Sequence, residues 1–294
     1  MKTVDFKNKV VWITGASSGI GASLAIQLNQ LGATIIASAR RSEKLTELKK
    51  SCQYPNQFIT LELDITDSNS IKTAINAVEG LKQLDLVIHN AGIAQKGMVI
   101  ENEMEIDRQI METNYFGTVA FTKAIMPKYL DQGHGWFAVV SSFAGVMGIP
   151  GRSAYAASKH ALHGFFESLQ AENMNCNLDV SFVIPGFINT EITAKGLCGN
   201  GKPFGRVETS HKLGMTADQC AKDTIKGLMK KRQRIVVGKF EVYLLSINRI
   251  SPRLGRLIIK SHPMKRIRLL KKKITNIFNF GANHSLEPQL TPNN

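Results

Sequence analysis

The stretch Thr14-Gly15-Ala16-Ser17-Ser18-Gly19-Ile20-Gly21 lies directly behind the apolar run 10–13 and directly ahead of a helix-spaced segment over 21–31. Three glycines at a strand-to-helix junction meet three separate demands. Gly15 permits a tight turn, Gly19 lets backbone approach a pyrophosphate, and Gly21 lets helix and strand pack closely. The N–H groups behind Ser17, Ser18 and Ile20 open a helix whose positive end suits phosphate. The context of strand before and helix after makes the segment a candidate dinucleotide-binding turn. The plain alternative is a glycine-rich turn with no ligand.

Outward from this turn, six more short apolar or β-branched runs follow, at 34–38, 58–63, 84–88, 137–141, 180–184 and 235–237. Most are continuous rather than alternating, as strands buried on both sheet faces are. The intervening segments, such as 108–130, are long enough for crossover helices. The fold class expected is α/β: a Rossmann-type doubly wound parallel sheet of about seven strands with helices on both faces. With 294 residues and 43% hydrophobic content, the chain can build one large core. The expected division is a nucleotide-binding and catalytic domain over 1–238, a basic amphipathic extension over 239–273, and a disordered tail over 274–294.

The four cysteines, Cys52, Cys176, Cys198 and Cys220, are widely spaced, so neither a disulfide framework nor a metal site is expected. The first residues leave no room for a secretion signal, and no run is long and apolar enough to span a membrane. A cytoplasmic protein, soluble or peripheral to a membrane, is therefore expected. The net charge of +14 is concentrated late, where arginines and lysines from Lys222 to Lys273 face only Asp223 and Glu241. In 239–273 those cations alternate with Leu244, Leu245, Ile250, Leu254 and Leu257. That pattern suits a helix lying on anionic lipid, and equally a helix packed on the core or on a partner subunit. No recognition module supports binding to nucleic acid.

The end of the second strand reads Ala37-Ser38-Ala39-Arg40-Arg41, without the acidic residue that would accept the adenosine ribose hydroxyls. Arg40 can face a 2′-phosphate with its planar donor fork and Ser38 can add a hydroxyl, which favours NADP(H) over NAD(H). The alternative is that Arg40 and Arg41 cap a solvated loop.

With the glycine turn in place, His89-Asn90-Ala91-Gly92, Asn114, Ser141-Ser142, Tyr155-Ala156-Ala157-Ser158-Lys159 and Pro185-Gly186 follow in order. Over residues 6–238 the chain thereby resembles the short-chain dehydrogenase/reductase superfamily, in its single-domain branch of about 250 residues. The resemblance implies a dinucleotide across the carboxyl ends of the strands. It gives Asp64 to the adenine, although a turn or N-cap aspartate fits as well. It gives Asn90 to cofactor support and sheet stability, Pro185 to the nicotinamide carboxamide, and Thr190 to the pyrophosphate. His89 replaces the usual asparagine and reads as a packed or hydrogen-bonding substitute.

Carbonyl reduction needs a proton at the oxygen as hydride reaches the carbon. Tyr155 and Lys159, spaced i, i+4, share one helix face, so the ammonium, together with the positive charge of an oxidised nicotinamide, is expected to lower the phenol pKa. The resemblance also gives Lys159 to the nicotinamide ribose, Ser142 to the substrate oxygen, and Asn114 to a helix interruption holding a water behind Lys159. Residues 191–215 read as a mobile, substrate-contacting lid. Met147, Ile149 and Phe187 can line an apolar pocket or belong to the core. The expected function is an NADP(H)-dependent oxidoreductase interconverting a carbonyl and a secondary alcohol on a lipophilic or steroid-like small molecule, in a homo-oligomer. A non-catalytic dinucleotide-binding regulator is the rival reading.

Overall fold

A computed structural model describes residues 3–173 and 176–260. The far part of the expected extension, 261–273, and the expected tail, 274–294, lie outside the described residues. The chain divides into two units, Met1–Leu245 and Ser246–Asn294.

The first unit opens with β1 (Val10–Thr14), α1 (Gly19–Gln30), β2 (Thr34–Ala39), α2 (Ser42–Lys50), β3 (Phe58–Glu62), α3 (Ser68–Asn76) and β4 (Leu86–His89). Then come β5 (Gln95–Lys96), α4 (Met104–Met111), a π-helical turn Glu112–Phe116, α5 (Gly117–Asp131), β6 (Gly135–Val140), α6 (Ser153–Glu172) and β7 (Leu178–Pro185). The short pieces β8 (Ile188–Asn189), β9 (Leu197–Cys198), α7 (Thr209–Lys212) and β10 (Met215–Thr216) lead into α8 (Ala217–Met229) and β11 (Arg234–Val237).

The main sheet has seven strands in the order β11-β7-β6-β4-β1-β2-β3. Every neighbouring pair in it is parallel. The order reverses between β1 and β4, so a crevice opens at their carboxyl ends, where the glycine turn lies. Side chains alternate faces along each strand. Val11 and Ile13 join Leu24, Leu28, Cys220 and Leu228 from α1 and α8 on one face. Trp12 joins Phe121, Phe137, Phe166 and Phe182 in the α5 and α6 layer on the other. On the first face the residues ahead of β1 are fastened to later elements: Val4 N–H donates to Met229 O at 2.7 Å, and Phe6 stacks on Trp136 at 6.4 Å.

Two strand ends depart from expectation for visible reasons. The fourth strand starts at Leu86 rather than 84, because Leu84 N–H and C=O are taken by the Gln132 side chain at 3.2 and 2.7 Å. The fifth ends at Val140, one residue short of Ser141. Ser142 is thus past the strand, where its hydroxyl caps a 3₁₀ turn by accepting from Ala144 N–H at 3.1 Å.

The first unit continues past 238. The buried Glu241 carboxylate accepts from Phe187 N–H at 3.0 Å and Lys239 N–H at 3.1 Å, and α9 (Tyr243–Ile250) starts with Leu244 buried. The second unit carries the end of α9 and α10 (Pro252–Lys260). A Cβ on Gly255 would meet Asn248 Oδ1 at 2.5 Å, so the glycine lets these two helices approach.

Candidate active site

The nucleotide end is built by close backbone approach. Gly15 and Gly19 sit at φ 67° and 59°, a region that favours glycine. A Cβ on Gly15 would meet Ala91 Cα at 2.8 Å, and one on Gly21 would meet Gly15 O at 2.6 Å. Asn90 holds this turn from β4. Its Nδ2 donates to Thr14 O and Gly15 O at 3.1 Å, while Thr14 Oγ1 accepts from Asn90 N–H and Ala91 N–H, also at 3.1 Å. From beyond β7, Thr190 comes to the same turn: a Cβ on Gly19 would lie 3.2 Å from Thr190 Cγ2.

Ser38 corrects the sequence reading. Its side chain is fully buried in the sheet, accepting from Trp12 Nε1 at 3.0 Å and donating to Ile13 O at 3.3 Å, so it offers no hydroxyl to a phosphate. The residue that reaches the glycine turn is Arg41, whose Nη2 donates to Ser17 Oγ at 2.9 Å and Ser18 Oγ at 3.4 Å. Arg40 is exposed, with Nη1 3.9 Å from Asp64 Oδ2. Asp64 itself forms a turn, accepting from Thr66 N–H at 2.9 Å and Thr66 Oγ1 at 2.7 Å. His89 is packed among Phe121, Phe137 and Phe166, bonded through Nε2 to Thr122 Oγ1 at 3.1 Å. Burial holds its pKa down at about 3, so it is neutral.

At the chemical end, α6 carries Tyr155 and Lys159 one turn apart, with the Lys159 Nζ 5.9 Å from the Tyr155 ring centre. Lys159 is buried and donates to Val140 O at 2.9 Å; burial lowers its pKa to about 8. The expected lowering of the Tyr155 pKa is corrected. Burial raises it, and the Ser142 hydroxyl and Arg152 guanidinium, which pull it down, only partly offset that. A phenolate in a low-dielectric surrounding loses more hydration than these neighbours return.

Asn114 lies in the π-helical turn between α4 and α5. Its Oδ1 accepts from Ile93 N–H at 2.8 Å, and its Nδ2 donates to Ile93 O at 2.9 Å and Ser158 Oγ at 3.0 Å. A Cβ on Gly92 would stand 3.0 Å from Asn114 Oδ1 and 3.5 Å from Lys159 Nζ. Both polar groups therefore lie close to the Gly92 backbone. One turn beyond Lys159, His163 Nε2 bonds Ser141 Oγ at 2.8 Å and stacks on Phe182, anchoring the strand end before Ser142.

The segment 191–215 is more ordered than a bare lid. Within it β9 pairs with β5, and β10 pairs with β8 next to Pro185. Glu208 is held by Lys96 Nζ at 2.6 Å and by Arg152 Nη2. Of the three pocket candidates, Met147 is buried, Ile149 is half-buried, and Phe187 is half-buried with its ring 5.4 Å from His211. Sequence reading missed Arg152, Glu208 and Lys96, which are far apart along the chain and individually indistinguishable from solvated charges. Among the described residues no group of three or more His, Cys, Asp or Glu side chains could hold a metal ion, and no helix is long and apolar enough to cross a membrane.

A seven-stranded parallel sheet that reverses its order between β1 and β4, with the glycine turn at that switch point, defines the class as a doubly wound α/β fold of the Rossmann type. The chain belongs to the short-chain dehydrogenase/reductase family, whose short chain dehydrogenase model matches residues 9–197, and is an NAD(P)-dependent oxidoreductase. It is 38% identical over 237 residues to a Drosophila melanogaster dehydrogenase/reductase SDR family protein 7-like, covering 78% of this chain and 72% of that one. It is 32% identical over 277 residues to dehydrogenase/reductase SDR family member 7B of Xenopus laevis, covering 91% and 85%. Among solved structures, a short-chain dehydrogenase from Streptomyces avermitilis superposes with a TM-score of 0.73 at 27% identity, covering 88% of this chain and 98% of that one. One from Burkholderia cenocepacia in complex with NADP, at 24% identity and a TM-score of 0.72, covers 87% and 99% and supports the fold.

Proposed function

We propose that the chain is an NADP(H)-dependent oxidoreductase that interconverts a carbonyl and a secondary alcohol on a lipophilic small molecule, with Tyr155 as general acid/base. The observation that carries this is the convergence of Tyr155, Ser142, Lys159 and Asn114 around one site. Nucleotide sensing alone requires no such acid/base set.

The nicotinamide dinucleotide supplies the hydride. The residues present fit such a group: Gly15, Gly19 and Gly21 clear backbone space at the N-terminus of α1, and Thr190 closes on that turn from beyond Pro185. Arg41 beside Ser17 and Ser18, with Arg40 exposed near Asp64, supports a 2′-phosphate at the adenosine end. NADP complexes of the Burkholderia cenocepacia kind are compatible with this, and an NAD complex of a Burkholderia phymatum relative, at 21% identity, leaves the choice to the arginines.

In the reducing direction Ser142 orients the substrate oxygen by hydrogen bonding and Tyr155 Oη delivers the proton to it. Lys159 stabilises the phenolate that remains, its ammonium being within reach of the ring. Asn114 Oδ1 and Lys159 Nζ both lie near Gly92, and a water bridging the two would return a proton to Tyr155. A panel of ketones and alcohols followed by NADPH absorbance tests the reading. A lower KM for NADPH than for NADH is expected. A preference for NADH overturns the cofactor choice, and nucleotide binding without turnover on any panel member favours a regulator.

The basic C-terminal segment is proposed to touch an anionic membrane surface. In α9 and α10, Tyr243, Ile250 and Leu254 are exposed apolar side chains beside Arg249, Arg253 and Arg256, which is the composition of an interfacial helix.

A further inference from the structure

We propose that Arg152 is a positioning residue for Tyr155, and that Glu208 latches it there from the substrate-side segment. The inference rests on the Tyr155 chemistry above and adds the device that readies it. Arg152 stands at the N-cap of α6, three residues before Tyr155, and is buried. Its two prongs are taken: Nη1 donates to Gln95 O at 2.9 Å, and Nη2 pairs with Glu208 Oε2. A planar guanidinium held at both ends keeps one place for its charge.

Two cations face one anion in this cluster. Lys96 from β5 and Arg152 both bind the Glu208 carboxylate, whereas His211 from α7, 3.8 Å from Glu208, is kept neutral with a pKa of about 4 by burial. One positive charge is left over. Ser142 and Arg152 both pull the Tyr155 pKa down, and the Lys159 ammonium lies 5.9 Å from its ring centre, so a surplus positive charge on Arg152 favours the anionic phenolate. The same ion pairs tie Glu208, in the segment 191–215, to the start of the catalytic helix. Packing of that segment and readiness of the acid/base are thereby coupled.

The test uses the full chain, saturating NADPH or NADP, and an aryl ketone and its alcohol as probes, with Tyr155→Phe as the reference. Arg152→Gln is expected to lower kcat about tenfold and to move the basic limb of its pH profile up by about one unit, with Arg152→Lys restoring most of both. Glu208→Gln removes the opposing charge while Gln95 O still holds Arg152 Nη1, so its limb is expected to move down while KM rises; an upward move overturns the charge assignment. Limited proteolysis within 191–215 is expected to accelerate in Glu208→Gln, which reads the latch without any turnover. A purely structural role moves neither limb. An unshifted profile in both glutamine variants, or unchanged proteolysis, overturns the proposal; should Arg152→Gln fail to fold, Glu208→Gln decides it alone. Full turnover in Tyr155→Phe would instead overturn the underlying chemistry.

Discussion

Tyr155 is raised above its ordinary pKa by burial while Ser142 and Arg152 pull the other way, which suits the proposed role of its phenol as proton donor. Tyr155→Phe is expected to reduce kcat by at least about a thousandfold and to leave NADPH affinity within about twofold, measured by single-turnover absorbance and fluorescence titration. At the nucleotide end, Arg41→Ala removes the cation bonded to Ser17 and Ser18. We expect it to raise the KM for NADPH about tenfold, leaving that for NADH nearly unchanged; equal changes for both would assign Arg41 to the turn alone. The residue scale is also where sequence reading was least complete. Motif order singled out Tyr155, Lys159, Ser142 and Asn114, because their spacing is local or their order distinctive. It put Ser38 beside a phosphate, and only the pairing of β1 with β2 shows that hydroxyl spent on Trp12.

Elements were legible in proportion to their length. The seven strands of the main sheet and the helices between them follow from runs long enough to show a period. Two-residue strands such as β5 and β9 have no period to read, so the segment after Thr190 passed for an unpaired lid. The π-helical turn shows what one side chain does for an element. Asn114 satisfies both backbone groups of Ile93, and Asn114→Leu leaves them unpaired in a buried place. A loss of roughly 1–3 kcal/mol for each orphaned group is expected in urea unfolding. The C-terminal helices define their own experiment. Cutting at 239 would strip Glu241 from the backbone of Phe187 and Lys239, confounding any membrane assay; a chain ending at Leu245 spares it. Co-sedimentation with phosphatidylserine vesicles is expected for the full chain and not for that truncation, and equal binding by both would reject the lipid contact.

For the whole molecule, two buried histidines and the half-buried His211 bear on stability in acid. Burial holds His89 at about 3 and His163 and His211 at about 4, below the ordinary 6.5. Between these values the unfolded chain takes up protons that the folded chain refuses, so stability falls as pH drops from about 6.5 towards 4. Each histidine contributes up to about 1.4 kcal/mol per pH unit there, and the loss levels off below the folded values. Thermal unfolding across that window is expected to show a Tm that falls with acidity, less steeply in His163→Gln. A Tm flat over that range would contradict the burial. Finally, the hydrogen bond from Val4 to Met229 and the stacking of Phe6 on Trp136 bear on how the protein is made. During synthesis Val4 waits for its partner until α8 has left the ribosome, and the sheet face that α1 shares with α8 is only partly covered until then. Release before β11 is translated would leave a sticky, unfinished intermediate, which makes the late third of the chain the stage at which chaperone binding is expected to matter most.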